Sequence, residues 1–354
     1  MRMRGIRRAK ILFRPPVGSF IPQAMRILPS LCALACLSMP LLAAEKQWVQ
    51  YEGRSGPGKS KHIVFLSGDE EYRSEQGLVQ LARILSDRHG FTTTVLFSIN
   101  KETGEIDPNT KDNEPGIEAL DHADLCVMQL RFRAWPDEQM KHFADYVAAG
   151  KPLIGLRTST HAFSGIKGAY SRFNTFGKDI FGEGWVSHWG KHKSEATRGV
   201  IEPSAKDDPL LRAVVEVFGT TDVYEAHPPA DAKILLRGQV VAGMNPKDPP
   251  AEYKKPRATD KEEQPVNQPM MPIAWTREVR NSGGRTNRIL CTTMGAATDL
   301  QNEGLRRLIV NAAYAFTGLE VPARADVRVV GEYAPLPYGF GGFKKGVKPA
   351  DVQH

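Results

Sequence analysis

Apolar runs alternate with amphipathic segments along the first half of the chain. Four runs rich in apolar and β-branched residues have the pattern of buried strands, and they are residues 63–66, 91–97, 124–130 and 152–157. Residues 74–90 and 136–150 instead repeat apolar side chains at helical spacing, and each segment ends on a glycine, a common helix stop. Continuous apolar strands that alternate with such helices predict an α/β fold with a mainly parallel sheet covered on both faces.

The second half of the chain is less regular. Residues 233–241, 271–276 and 287–293 have strand-like patterns, and residues 302–318 have the pattern of a closing helix. The segment 245–270 is rich in Pro, Lys and Glu, which predicts a mobile surface loop.

The pattern divides the chain into three parts. We expect a leader over residues 1–44, one compact α/β domain over 60–320 and an extended tail over 321–354. The tail carries aromatic residues among Gly and Pro from Gly331 onward, and we expect it to wrap the domain surface.

The leader has the features of an export signal. Residues 25–46 combine a charged start, an apolar stretch and small residues before Glu45, so we expect a mature protein that starts near Glu45 and is periplasmic or extracellular. The apolar stretch is too short for a stable membrane span. Translation from Met25, a twin-arginine signal at Arg7–Arg8 and a lipid on Cys36 are alternatives within the same segment.

The basic character of the chain belongs to this leader. The chain has 47 Lys and Arg residues against 40 Asp and Glu, and seven of the basic residues lie within 1–44, which has no acidic residue. The remaining residues are therefore formally neutral, with 40 of each sign. Nucleic-acid binding needs a basic face on the folded domain, so we expect no nucleic-acid partner.

Two cysteines remain beyond the leader, and each lies in an apolar strand-like run. We expect Cys126 and Cys291 to be buried free thiols without a disulfide, because a chain of this size folds without one. Neither belongs to a Cys/His cluster, so a structural zinc site of that kind is not expected.

Polar clusters follow three of the predicted strands. In an open parallel sheet the carboxyl ends of the strands share one edge, and ligands bind there. The cluster members are Asp69, Glu70, Glu71, Tyr72, Arg73, Arg131, Arg133, Arg157 and His161. We expect them to line one crevice, although charged residues at strand ends are also common as plain solvated caps. The sequence contains no phosphate-binding glycine loop and no G-x-S-x-G elbow.

A fourth cluster holds aromatic residues and histidines. Its candidate ligand-binding residues are His188, Trp189, His192, Asp222 and Tyr224. The spacing of His188 and His192 suits a divalent metal, but Gly190 disfavours a helix and no glutamate follows His188 as in zincins. We therefore favour a loop with an aromatic platform and two histidines, and no cofactor is predicted.

Several of these motifs together resemble the ThuA-like (trehalose-utilisation) family, in its exported planctomycete-type branch. The motifs are GDEEYRSE, RFRAWPDEQMKHFADYV, GLRTSTHAF, SHWGKH, TDVY, MPIAWT and TTMGAATDLQNEGLRRLIVNAAYAFTGLEVP. They spread over about residues 60–350. The resemblance implies a flavodoxin-like three-layer sandwich, similar to the class I glutamine amidotransferase domain.

The same resemblance indicates what the site is not. In the amidotransferases the strand-to-helix turn reads G-x-C-x-G with a cysteine nucleophile. Here Arg157 occupies that position and Ser159 replaces the second glycine. Because a guanidinium stays protonated and has no free electron pair, it cannot attack a substrate. Glutamine hydrolysis is therefore excluded.

The family is linked to disaccharides whose ring carries a ketone, which implies a small-molecule sugar as partner. The ketone acidifies the neighbouring C–H, so a glycosidic bond can be lost by elimination, as a lyase or hydrolase would use. We expect Arg157 to supply positive charge and His161 or Glu70 to act as base. The alternative is a non-catalytic carbohydrate-binding or partner-docking module on the same fold. The sequence carries no signal for an oligomeric state.

Overall fold

The computed structural model describes residues 46–353. The predicted export signal over 1–44, with its alternatives, lies outside the described residues. The three α-helices of the described part are α1 Ser74–His89, α2 Asp137–Ala148 and α3 Glu303–Phe316. The strands of the described part are β1 Trp48–Tyr51, β2 His62–Gly68, β3 Thr92–Phe97, β4 Leu125–Leu130, β5 Leu153–Leu156, β6 Ser187–His188, β7 Ala196–Ile201, β8 Phe218–Gly219, β9 Tyr224–Glu225, β10 Lys233–Val241, β11 Lys254–Pro256, β12 Glu263–Pro265, β13 Met271–Arg280 and β14 Thr286–Thr292.

The main sheet is mixed, which corrects the expectation of a mainly parallel one. Its ten strands run in the order β1-β3-β2-β4-β5-β14-β13-β10-β7-β8. The pairs from β3 through β14 are parallel, whereas β1 and all strands beyond β14 pair antiparallel with their neighbours. A short turn joins β13 to β14, and a connection of that length links only antiparallel strands. The mixed α/β class itself is as predicted.

Each face of the sheet has its own hydrophobic core. Side chains of β2 alternate between the two faces, so Ile63 and Phe65 pack in the core that contains residues of α1 and α3. Val64 and Leu66 point the other way, into the core that contains residues of α2. The helices α1 and α2 therefore cover opposite faces of the parallel strands.

The order of the strands creates a crevice at one edge of the sheet. After β2 the chain passes through α1 to β3 on one side of β2, and then returns to β4 on the other side. At such a switch point the loops that leave neighbouring strands diverge and leave room for a ligand. The segments after β2, β4 and β5 meet here, and they carry the polar clusters singled out in the sequence.

The segment 245–270, predicted as a mobile surface loop, has regular structure of its own. It contains the antiparallel hairpin of β11 and β12. The indole nitrogen of Trp189 donates to the carbonyl oxygen of Val266 at 2.8 Å, and Asn267 Nδ2 donates to that of Val240 at 3.0 Å. The segment thus packs over the main sheet, because its polar atoms bond to the domain and Val266 is buried.

The tail lies along the domain. The hydroxyl of Tyr333 donates to the carbonyl oxygen of Ala297 at 2.7 Å. The backbone nitrogen of Gly339 donates to the carbonyl oxygen of Glu71, also at 2.7 Å. Further on, Val347 accepts from the backbone nitrogen of Ile106 at 2.8 Å. The hydroxyl of Tyr51 donates to the carbonyl oxygen of Val352 at 2.7 Å, so the tail passes the carboxyl edge of the sheet and ends beside the edge strand β1.

Cys126 and Cys291 are buried free thiols, which confirms the prediction. Within residues 46–353 no helix is both long enough and apolar enough to cross a membrane.

A buried carboxyl group under the crevice makes the stability of the fold depend on pH. Glu114 is buried, with one oxygen accepting from Ser98 Oγ at 2.9 Å, and burial raises its pKa to about 8. The folded protein keeps a proton that the unfolded chain releases above about 4.5, so stability falls as pH rises from about 4.5 to about 8. Buried Glu75, whose pKa burial raises to about 7, adds a fall of its own. We expect Glu114→Gln to remove the contribution of Glu114, which is on the order of a few kcal/mol, in urea unfolding at pH 5 and pH 9.

The matched control is Glu118→Gln, on the same connection but exposed. Its unfolding curves should follow those of the unsubstituted protein at both pH values. A Glu114→Gln protein that loses as much stability as the unsubstituted protein between pH 5 and pH 9 would contradict the assignment.

Candidate functional site

The turn after β2 is organised by Asp69. One carboxylate oxygen accepts from the backbone nitrogens of Glu71 at 2.7 Å and Tyr72 at 3.0 Å. The other accepts from the hydroxyl of Thr158, in the turn after β5. Asp69 is completely buried, and this burial raises the pKa of its carboxyl group. Asp69 therefore fastens the ends of β2 and β5 together, and it has no surface open to a ligand.

Glu70 is neutralised by the residues that follow β4. Its two carboxylate oxygens accept from Arg131 Nη1 at 2.5 Å and from Arg133 Nη2 at 2.9 Å. Lys111 Nζ lies 3.5 Å from Oε1 of the same carboxylate. The Arg133 side chain is fully buried and also donates to the carbonyl oxygens of Pro108 and Thr110 at 2.9 Å. Arg133 thus has a structural position, whereas the Arg131 side chain stays 20% exposed at the crevice.

Arg157 stands at the tip of β5 in a left-handed backbone conformation. Its φ is 44°, a value that costs a non-glycine residue about 1–2 kcal/mol and that a sharp strand-to-helix turn requires. Its Nη1 donates to the carbonyl oxygens of Asp222 at 2.8 Å and Thr293 at 2.7 Å, and its Nη2 donates to Asp222 Oδ1 at 2.9 Å. The guanidinium carbon lies 3.6 Å from the ring centre of Tyr224, a close cation–π contact.

This placement revises the role expected for Arg157. Its side chain has no exposed surface, and both terminal nitrogens already donate within the protein. It therefore does not present its charge to a ligand in this structure. Its partner is the carboxylate of Asp222, not Asp69 or Glu70, and it acts as the residue that positions Asp222.

Asp222 connects Arg157 to both histidines of the SHWGKH motif. Its Oδ2 lies 2.8 Å from His188 Nδ1 and its Oδ1 lies 3.0 Å from His192 Nδ1. The other ring nitrogen of His192, Nε2, lies 3.1 Å from Glu71 Oε1. The Arg157 guanidinium and the hydrogen bonds of the two histidines hold the pKa of Asp222 well below its usual range, despite its burial. Burial raises the pKa of Glu71.

His161 lies on the other side of the crevice, against aromatic rings. Its ring centre is 5.1 Å from that of Phe132 and 5.2 Å from that of Trp185. Burial, together with the charges of Arg131 and Arg157, lowers the pKa of His161 to about 3. The imidazole is therefore neutral at physiological pH, and once protonated it gives up its proton readily.

Trp185 joins the two sides of the crevice, and the sequence reasoning missed it. Its ring centre lies 5.2 Å from that of His161, 4.9 Å from that of His188 and 4.6 Å from that of Tyr224. It is 39% exposed, which is unusual for a tryptophan with so many neighbours. The only signal in the sequence is a large aromatic residue directly after Gly184, three positions before His188.

The tail adds two more aromatic residues to the crevice. The ring of Tyr338 lies 5.4 Å from that of Tyr72 and 5.7 Å from that of His192. Phe340 is 59% exposed, and the guanidinium of Arg131 lies 5.0 Å from its ring centre. The backbone here is held by Arg73, which donates to the carbonyl oxygens of Pro337 and Gly339.

The structure brings most of the predicted residues together, but they differ in whether their side chains are accessible from the crevice. Exposed or half-buried groups face the crevice, and they are Arg131, His161, His188 and His192. Buried groups support them from below, and they are Asp69, Glu70, Glu71, Tyr72, Arg133, Arg157, Asp222 and Tyr224. Trp189 lies apart from both sets, completely buried in the core under the β11–β12 hairpin.

Loss of the buried cation should weaken the fold. We expect Arg157→Ala to lower the free energy of unfolding by about 3–5 kcal/mol, because it leaves the Asp222 carboxylate buried without its cation. Arg157→Lys should lose less, roughly 1–3 kcal/mol, since an ammonium retains the charge but cannot reproduce the planar set of contacts. Chemical denaturation monitored by circular dichroism measures both.

Arg328→Ala is the control, because Arg328 forms an exposed ion pair with Asp326. Its unfolding curve should stay with that of the unsubstituted protein. Equal stability of Arg157→Ala and Arg328→Ala would refute the central role of the buried pair.

No protein-family model and no curated protein matches this sequence. Two solved structures are similar to the chain, and both are described as ThuA-like proteins. The protein from Parabacteroides merdae shares 16% identity at a TM-score of 0.49, over 74% of this chain and 92% of its own. The protein from Bacteroides uniformis shares 14% identity at a TM-score of 0.47, over 75% of this chain and 95% of its own. Likeness at this level says nothing about substrate or reaction, and the family name of both proteins is the one that the sequence motifs resemble.

Proposed function

We propose that the protein is an exported ThuA-like protein that binds a disaccharide of the keto-glycoside class and cleaves its glycosidic bond. The supporting observation is Trp185, an exposed indole ring that is surrounded by His161 and His188 at the carboxyl edge of the sheet. A sugar ring has apolar C–H faces and a polar rim, so an aromatic face beside hydrogen-bonding groups recognises it. We propose that the fold that carries this site is a flavodoxin-like three-layer sandwich.

The reaction that we propose is an elimination. A base removes the proton from the carbon between the ketone and the anomeric carbon, which gives an enolate. When the ketone re-forms, the electron pair moves to make a carbon–carbon double bond and the anomeric C–O bond breaks. The departing oxygen takes up a proton, so the products are an unsaturated keto-sugar and an alcohol or second sugar, and no water is consumed.

His161 is the residue we assign to proton transfer. Its ring is neutral at physiological pH and lies beside the Trp185 ring, where a sugar would lie. The lowered pKa makes the protonated ring a strong acid, which suits return of the proton to the departing oxygen. Glu70 is a weaker candidate than the sequence suggested, because Arg131 and Arg133 both occupy its oxygens.

A binding module without catalysis is the second candidate. It is favoured by Arg157, which fills the nucleophile position of the related amidotransferase turn with a residue that cannot attack. The two candidates predict the same ligand and differ only in whether His161 transfers a proton.

Substitution of Trp185 tests the binding site. We expect Trp185→Ala to weaken binding of a 3-keto-disaccharide at least about tenfold in calorimetric titration, because it removes the aromatic face under the sugar. Trp185→Phe should keep part of the affinity. Trp48→Ala, which removes an aromatic ring from the edge strand β1, is the control and should bind as the unsubstituted protein does. Equal affinities for all of these proteins would exclude this surface as the sugar site.

Substitution of His161 tests the chemistry. We expect His161→Gln to bind the keto-disaccharide with little change and to lose turnover, measured as release of the unsaturated sugar. The ordinary disaccharide, which has no acidified C–H, should be bound and left intact. If the unsubstituted protein binds the keto-sugar but releases no product, the binding module is the correct reading.

A further inference from the structure

The second side of the crevice contains two histidines gathered around one buried carboxylate. His188 and His192 both direct Nδ1 at the carboxylate of Asp222, at 2.8 and 3.0 Å. One nitrogen from each histidine and one oxygen of Asp222 lie within 4.8 Å of one another. Distances of this size fit three donors around one metal ion, which binds imidazole nitrogen and carboxylate oxygen at about 2.0–2.2 Å.

The surroundings of His192 match those of a histidine ligand in a metal site. Both of its ring nitrogens face carboxylates, Asp222 on Nδ1 and Glu71 on Nε2. If Nε2 donates its proton to Glu71, Nδ1 is left with an electron pair directed at a negatively charged oxygen. A cation between the two atoms would be bound by both of them. Histidine ligands in metal sites commonly donate their second ring nitrogen to a carboxylate in this way.

The donors are held in place by backbone pairing and by Arg157. The strands β6 and β9 pair His188 with Tyr224, and the backbone nitrogens of Trp189 and Gly190 both donate to the carbonyl oxygen of Val223. Arg157 Nη2 donates to Asp222 Oδ1 and fixes the plane of that carboxylate. The three donors therefore do not depend on a flexible loop for their relative positions, as a metal site requires.

The cluster is also open to a ligand. The side chains of His188 and His192 are 36% and 24% exposed, whereas the Asp222 side chain is buried. Three protein ligands with an open side are typical of catalytic metal sites, and two imidazoles with one carboxylate suit zinc, cobalt, manganese or ferrous iron better than magnesium or calcium.

We propose that His188, His192 and Asp222 bind one divalent first-row transition metal ion, with Glu71 orienting His192 and Arg157 orienting Asp222. This site deepens the proposed function and rests on it for its role, because His188 contacts Trp185 and so places the ion beside the sugar-binding ring. The bound ion would supply positive charge to the ketone oxygen while the enolate forms, which is the role that the sequence assigned to Arg157.

The test uses the purified protein, cleared of metal with a chelator and titrated with Zn²⁺ and with Co²⁺. We expect one equivalent of either ion to bind, the melting temperature to rise, and bound Co²⁺ to show the visible spectrum of a low-coordinate site. His188→Ala and His192→Ala should each weaken Zn²⁺ binding at least about tenfold. Asp222 is left unsubstituted, because its removal would leave Arg157 buried without a partner.

The matched control is His227→Ala. His227 is also an exposed histidine beside a buried carboxylate, with Nε2 at 3.2 Å from Glu225 Oε1, but it has no second histidine. It should bind Zn²⁺ as the unsubstituted protein does. Failure to bind one equivalent, or equal affinity in all three histidine variants, would overturn the metal site. Titration of the metal-free protein with the keto-disaccharide separates this result from the proposed function, since sugar binding at Trp185 can be present or absent independently of Zn²⁺ binding.

Discussion

The ion pair between Arg157 and Asp222 is the interaction on which the site depends. Arg157 lies at the tip of a central parallel strand, and Asp222 lies in a loop that belongs to the antiparallel half of the sheet. Both side chains are fully buried, so removal of either one would strand the other as an uncompensated charge. The pair therefore connects the two halves of the sheet at the edge where a ligand would bind. It also orients the one carboxylate that both His188 and His192 contact.

The contacts of the Arg157 side chain explain why its strained backbone conformation is retained. A left-handed φ at a residue with a long side chain is unfavourable, and the turn retains it because the guanidinium gains contacts with Asp222, Thr293 and two tyrosine rings. Here the side chain points inward and stabilises the loop that carries the histidines. The accessible side chains are consequently found beside Arg157, on His161 and on the SHWGKH segment.

Much of the fold could be predicted because its elements are long and periodic. The helices α1, α2 and α3 and the strands of the parallel half follow from apolar spacing and glycine stops. The direction of β10 and β13 could not, since a buried antiparallel strand and a buried parallel one have the same composition. Strands as short as β6 and β9 leave no period to detect, although they position His188. The site was predicted as a set of residues, but its division into exposed and buried members depends on tertiary packing. Trp185 and Tyr338 were missed because isolated aromatic residues among glycines have no pattern.

The charges of the site bear on what kind of ligand it takes. Arg157 is neutralised by Asp222, Arg133 shares Glu70 with Arg131, and Arg73 is saturated by carbonyl oxygens of the tail. A site for phosphate or another strong anion needs cations that are not already paired within the protein. The groups that remain accessible here are three imidazoles, an indole, a phenyl ring and one arginine edge. Imidazoles and flat aromatic rings offer hydrogen-bonding groups and apolar faces, which suits the polyhydroxylated ligand that we propose. A reaction that creates negative charge only during turnover then needs a cation that appears at the ketone oxygen, and the open face of His188 and His192 is where such an ion would bind.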